Sequence, residues 1–394
     1  MSSVGIIAEY DPFHRGHARH IEKAKEYSGC DTVISVMSGS FTQRGMPSMF
    51  SPRARAEAAV LAGADICLLL PTAFAVREAE NFALGGVYLL SKAGATHLSF
   101  GCETPEPALL LSAAKILENE PEPFRVTMKE ALGSGLSHAR ARGEALKKLL
   151  GTDAETLSLP NNTLAVCYLR AILRLSSPLI PVPVLREGDY HSLSLEQAYP
   201  SAAALRRAAG DGDISALETG IPECCRKVLT DEAAGGLLCK EDSTDSILMY
   251  LLDGMKPEEL AACPECGEGL EKRVLNALHQ AHGREELIAL VKTKRYTYSR
   301  ISRLLCHALL GITRNSLPPL PVYTRVLACR ESALPLLRDI TDRFGNEIET
   351  VSRPAKAVSA CFEQEMRADR LRLILTKQST GSAYSEYNPV IRGI

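Results

Sequence analysis

The chain has 394 residues, enough for two or three domains with cores of their own. Its 45 % hydrophobic and 23 % charged content is that of an ordinary folded protein, and no apolar run approaches the ~20 residues that span a bilayer. A formal net charge of −2 excludes a wholesale basic coat for nucleic acid but leaves room for a local basic patch.

The first apolar run, Val4 to Ala8, reads as a buried strand with no export signal before it. A helix is predicted over Gly16 to Tyr27, a strand over Thr32 to Met37 and a helix over Ala54 to Ala62. A strand over Ile66 to Leu70 ends at Pro71, a helix covers Asn81 to Ala93, and a strand over His97 to Phe100 ends at Gly101. Strands alternating with helices imply βαβ units and a parallel, Rossmann-like sheet, so the fold class is α/β. Ala108 to Leu117, Arg140 to Leu150 and Leu164 to Leu175 read as helices. Leu179 to Leu185 reads as a strand at or near the sheet edge, because it carries Pro181 and Pro183. From about Asp213 helices follow one another: Asp245 to Leu252, Leu270 to Ala281, Glu285 to Val291, Tyr298 to Leu310 and Ser332 to Ile340. A short extended piece, Val322 to Cys329, interrupts them, and the polar tail after Thr380 reads as loosely held. The division expected is an α/β catalytic domain over 1–212 and an all-helical domain over 213–394. The twelve cysteines lie mostly in apolar surroundings, as at Cys67, Cys167, Cys306 and Cys329, and read as reduced thiols of a cytoplasmic protein.

His14-Arg15-Gly16-His17 follows the first strand, with Pro12-Phe13 shaping the turn. Two imidazoles at a strand-to-helix turn suit adenylate transfer from ATP, because each can donate to phosphate oxygens whose charge grows as pyrophosphate leaves. Gly16 lets backbone approach the nucleotide, and the helix N-terminus adds its free N–H groups. The loop Ser38 to Gly45, after the second strand, carries Arg44 for a carboxylate or phosphate. Gly101 permits close approach of adenine or ribose. Of Asn161 and Asn162, one reads as a helix cap and the other as a nucleotide contact. Ser201 and Arg206 sit at a helix N-terminus where they face phosphates or form an ordinary capped amphipathic helix. Lys292 to Arg303 holds five cations and two tyrosines in twelve residues with no acid. Cations interleaved with aromatics suit RNA. Cys263 and Cys266 with His279 and His282 invite a zinc reading, but the histidines are only three apart and no strands bracket them, so no metal site is expected.

Taken together, these motifs resemble the tRNA(Met) cytidine acetate ligase family of the HxGH nucleotidyltransferase-like superfamily. Gly5 to His17 is similar to the family's G-I-I-A-E-Y-N-P-F-H-x-G-H opening, and Ser38 to Pro47 to its S-G-x-F-x-Q-R-G-x-P segment. Arg55-Ala56-Glu57, Gly63-Ala64-Asp65, Ala79 to Val87, Phe100 to Glu103, Pro160 to Asn162 and Lys292 to Arg303 match its later segments. The resemblance implies an enzyme that activates acetate with ATP as acetyl-adenylate and acetylates N4 of the wobble cytidine of elongator tRNA(Met). It implies an ATP site of Ile7, Ala8, Glu9, Tyr10, Asp11, Pro12, Phe13, His14, Gly16, His17, His20, Gly101, Asn161, Asn162, Arg186, Ser201 and Arg206. His14, His17 and Arg44 would serve the chemistry, with Mg²⁺ bridging the phosphates. Lys292, Lys294, Arg295, Arg300 and Arg303 would bind tRNA; no membrane and no DNA partner is implied. Two alternatives stay open: a nucleotidyltransferase that adenylylates a small cofactor precursor, in which the basic stretch has no task, and a non-catalytic nucleotide- or tRNA-binding relative. Asp11, Pro52 and Ala203 depart from the family's asparagine, lysine and threonine: Asp11 adds a negative charge beside the expected phosphate site, Pro52 removes a positive one and Ala203 removes a hydroxyl.

Overall fold

Strand formation begins where the apolar runs predict it. β1 (Ser3–Ala8), β2 (Thr32–Ser38), β3 (Ile66–Leu70), β4 (His97–Cys102) and β5 (Ile180–Leu185) lie parallel. The structure, a computed structural model, describes residues 2–186, 199–352, 361–379 and 387–393. Side chains of the inner strands alternate between two cores. Val4, Ile6, Val33, Met37 and Leu69 enter one, and Ile7, Ile34, Val36, Leu68 and Leu70 enter the other. Burial on both faces explains why these strands read as continuous apolar runs. Helices α1 (Arg15–Ser28), α2 (Pro52–Leu61), α3 (Thr72–Ala75) and α4 (Ala79–Ala93) follow the first three strands. α4 packs unusually close to β1: a Cβ on Gly5 would lie 2.6 Å from Leu90, and one on Gly86 would lie 2.6 Å from Ile7.

β1 is flanked by β2 on one side and β4 on the other. The chain therefore winds outward in opposite directions from β1, which makes its C-terminal end the switch point where such sheets bind ligands. β5 closes that side of the sheet as an edge strand, as its two prolines predict.

The chain after residue 213 is not wholly helical, which corrects the sequence-based division. β6 (Tyr323–Thr324) and β8 (Glu349–Thr350) pair with each other, β7 (Val326–Arg330) pairs antiparallel with β3, and β9 (Val390–Arg392) pairs with β7. Among the described residues the sheet thus has seven strands, in the order β5-β4-β1-β2-β3-β7-β9. The extended piece 322–329 is present, but it serves the N-terminal sheet. Tyr387 is buried and β9 is paired, so that part of the tail is tied down; residues 380–386 lie outside the described residues. Residue 213 is no boundary between cores either. Cys225, Leu229 and Ala233 of the helix Glu223–Ala234 pack with Ala58 and Ala59 of α2. A separate helical core runs from Leu248 to Ile312 and is joined by Ala368 and Leu371 of the helix Phe362–Leu375. Short strands of two to five residues carry too little pattern to be read locally; their partners decide them. No helix among the described residues is long and apolar enough to cross a membrane.

Candidate active site

The chain leaves β1 through a turn whose apolar members go inward. Tyr10 and Phe13 are buried, with rings edge-on at 4.9 Å, and the Tyr10 hydroxyl meets Ser35 Oγ at 3.2 Å. His14 then caps α1. Its Nδ1 accepts from the Gly16 N–H at 3.0 Å, and the His14 N–H donates to His17 Nδ1 at 3.2 Å. A backbone N–H can only donate, so both Nδ1 atoms are acceptors and each neutral ring carries its proton on Nε2. The rings stack with centroids 3.7 Å apart. The capping arrangement thus fixes two Nε2–H donors side by side at a helix N-terminus, as an anion site requires.

Burial keeps these imidazoles neutral. It pushes His14 down to about 3, His20 to about 4 and His17 well below the ordinary histidine value. The Arg186 charge pushes the same way on all three, and Arg206 adds to it at His14. A positive field around uncharged donors suits a polyanion and disfavours a cation. Arg206 is aimed by donating to the Asp11 carbonyl at 2.6 Å, and Arg186 by donating to Asn161 Oδ1 at 3.1 Å. His20 joins α1 to β4 through Ser99 Oγ at 2.9 Å. A Cβ on Gly101 would meet no atom within 4 Å, so the space before the end of β4 is open.

The remaining residues of the expected ATP site divide into those that face this space and those that support it. Ile7 packs in the core against Gly86, so from there only its backbone reaches outward, and the neighbouring Ala8 is half-buried. Pro12 is buried beneath the turn. Glu9 accepts the Gln43 N–H at 2.6 Å, and burial raises its pKa. Ser201 caps the helix Ala202–Gly210 by accepting from Ala204 N at 3.1 Å. Asn162 is fully buried and committed. Its Oδ1 accepts from the Glu103 and Thr104 N–H groups, and its Nδ2 donates to Thr104 Oγ1 and the Thr156 carbonyl. Glu103 in turn accepts from the Asn161 and Asn162 N–H groups at the start of the helix Pro160–Arg174. Asn162 therefore holds the turn after β4 and has no free amide atom for a ligand. Asn162→Ala strands two half-buried N–H groups, and we expect a loss of about 1–3 kcal/mol in denaturant unfolding; a loss below about 0.5 kcal/mol would contradict this role.

Arg44 is exposed on a loop whose backbone is gripped from behind. Ser302 Oγ donates to the Arg44 carbonyl, and Arg284 donates to that of Gly45. Gly45, at φ +74°, packs against the Ser302–Arg303 backbone, where a Cβ would lie 2.7 Å from the Ser302 oxygen. Arg44 is thus presented beside the basic segment.

The partners of that segment come from outside it. It contains no acid, but a neighbouring loop supplies two. Arg303 is held by Glu265 at 2.5 and 2.7 Å. Arg295 lies 2.6 Å from Glu268, and Arg300 donates to the Glu265 carbonyl at 2.9 Å while stacking over Tyr296. Lys292 and Lys294 are exposed without a side-chain partner among the described residues. Cys263 and Cys266 lie in the helical core, and burial pushes both thiols up to about 11. His282 pairs with Glu286 at 2.9 Å. No three His, Cys, Asp or Glu side chains among the described residues form a metal-binding group.

Comparison with known proteins agrees with this geometry. The model of the HIGH Nucleotidyl Transferase family matches residues 1–386. A tRNA(Met) cytidine acetate ligase of Thermoanaerobacter sp. (strain X514) is 35 % identical over 403 residues, all of both chains. One of Clostridium kluyveri is 36 % identical over 398 residues, 96 % of each chain. This chain belongs to the tRNA(Met) cytidine acetate ligase family. Thermotoga maritima TmcAL in its apo form has a TM-score of 0.91 to this structure at 25 % identity, covering all of both chains. The same protein bound with alpha-thio ATP gives 0.89.

Against the ligase family's motifs, the three departures look different in three dimensions. The Asp11 carboxylate points away from the imidazoles and accepts from the Met49 and Phe50 N–H groups at 3.1 and 3.2 Å. Its charge is spent on that backbone. Pro52 opens α2 behind the Ser51 cap, where a missing N–H costs nothing. Arg53 does not replace the lysine, because it donates to the Asn388 carbonyl. Ala203 lies in the first turn behind Ser201, which keeps one hydroxyl there. The structure also gives a role to Arg55, which the sequence marks only as a motif position. Arg55 is fully buried and donates to the carbonyls of Glu9, Ser38, Gly39 and Phe50 and to Ser48 Oγ. It ties the loop after β1 to the loop after β2. Its signal in the sequence was an arginine two positions after Arg53 in a ten-residue helix, which puts the two on different faces.

Proposed function

We propose that this chain is an ATP-dependent tRNA(Met) cytidine acetate ligase. The observation that carries the reading is the stacked His14–His17 pair with both Nδ1 atoms pinned, at the end of β1. Acetate carboxylate attacks the α-phosphorus of ATP and pyrophosphate leaves. The two Nε2–H groups donate to phosphate oxygens as their charge grows, and Arg186 and Arg206 hold the triphosphate in line. Gly101 leaves room for adenosine, and Asn161 orients Arg186. Arg44 steers acetate. The N4 amine of cytidine then attacks the acetyl carbonyl, AMP leaves, and the amine loses a proton.

At the end of β1 both Asp11 oxygens and Glu9 Oε1 accept backbone N–H groups, so a Mg²⁺ would be held by the ATP phosphates. Bound there, it would neutralise charge on the phosphates. Elongator tRNA(Met), rather than DNA, is the nucleic acid proposed for the basic segment. Twelve cysteines without a disulfide support a cytoplasmic setting. The test is mass spectrometry of the products formed from protein, ATP and acetate, with and without tRNA(Met). Acetyl-adenylate without tRNA, and N4-acetylcytidine with it, are expected. ATP turnover that is equal across a panel of small acids would overturn the acetate assignment.

A further inference from the structure

A second concavity lies apart from the histidines, with a volume of about 350 Å³. Arg77, Asn81, Glu265, Arg314, Pro318 and Pro319 line it. One wall, Arg77 to Asn81, leads from the C-terminal end of β3 into α4, so it opens on the same edge of the sheet as the HxGH turn. β3 lies two places from β1 in the sheet, on the β2 side. The opposite wall is the loop whose Glu265 and Glu268 hold Arg303 and Arg295. The cavity and the basic segment therefore share one loop. Buried His307 joins the two walls from below, with Nε2 2.8 Å from the Val76 carbonyl and Nδ1 3.3 Å from that of Pro264.

The lining has the chemistry of a base pocket. Arg314 is anchored through both Nη atoms to the Ala261 and Cys266 carbonyls, which fixes its guanidinium as a flat plate. Proline rings supply apolar faces, and unstacked bases bind such faces and guanidinium planes. Arg77 gives its Nε to Glu78, leaving Nη donors. Asn81 gives its Nδ2 to Glu78, leaving Oδ1 as an acceptor. Donors and an acceptor at one rim match the mixed edge of a nucleobase. Glu265 is taken by Arg303 and Glu78 by Arg77, which leaves the Arg314 charge to favour a phosphate.

We propose that this concavity takes one unpaired nucleotide of the RNA, flanking the one that is acetylated; the proposal rests on the tRNA reading above. The test is binding of the full-length protein to an anticodon stem-loop of tRNA(Met), with single abasic substitutions scanned through the loop. In the wild-type protein, removing one flanking base should weaken binding about tenfold or more. Arg77→Ala and Asn81→Ala should each shrink that ratio below about threefold. A 4-thiouridine at the sensitive position should crosslink to a peptide containing residues 77–81 or 314–319, a readout that needs no substitution. A flat abasic scan, a ratio unchanged in both variants, or a crosslink elsewhere overturns the pocket while leaving the ligase reading intact. If the wild-type protein binds neither the stem-loop nor the whole tRNA, the RNA reading itself fails, and the pocket with it.

Discussion

His17→Ala should cut acetate-dependent pyrophosphate release about 10²–10³-fold, the effect of losing one donor aimed at developing charge. His17 is a cleaner probe than His14. The His14 ring also caps α1, so its removal adds a helix-stability loss of about 1 kcal/mol. The ring of His17 accepts one bond, from the His14 N–H, and its Nε2–H is left for the ligand. Because the donor acts in the transition state, kcat should carry most of the loss and ATP affinity little of it. Burial keeps the ring neutral well below its ordinary range, so the wild-type rate should show no inflection near pH 6.5 that the variant removes. Pyrophosphate exchange assays decide the matter. A loss of less than about threefold would make the imidazole a bystander and return the site to simple nucleotide binding.

Reversing Lys292 and Lys294 to glutamate should weaken tRNA binding and flatten its salt dependence by about one unit of log–log slope for each phosphate no longer neutralised. These two lysines are chosen because the arginines of the segment are not equivalent to them. Arg295 is exposed, and its pair with Glu268 is a surface pair of little worth, so it can exchange the carboxylate for a phosphate. Arg303 and Glu265 are each only 13 % exposed. Arg303→Glu would set two carboxylates together in a half-enclosed place. Its first effect should be a stability loss of about 3–5 kcal/mol, read by thermal or denaturant unfolding, with RNA binding lost as a consequence. Filter binding or fluorescence anisotropy across a salt series separates the cases. Equal affinity and slope in the double lysine variant would reduce the segment to surface charge.

What the sequence determined by itself is local. The apolar runs of β1 to β4 and the helices between them were legible because each is decided by a period or a cap within about a dozen residues. The place of His14 and His17 was legible for the same reason, since a strand, a Pro-Phe turn and a helix start fit in seventeen residues. Pro181 and Pro183 marked an edge strand because proline cannot donate to a ladder. Tertiary structure alone decided the rest, and the reason is distance along the chain. Val326–Arg330 becomes a strand because β3, some 260 residues earlier, offers it an edge. Arg303 loses its freedom to Glu265, 38 positions away. Asp11 is turned from the phosphate side by N–H groups at 49 and 50, and Asn162 is consumed by a turn at 103–104. A hydrogen bond between distant residues leaves no period in the sequence. The composition of a segment therefore reveals which charges it owns, and the packed fold decides which of them remain available for a partner.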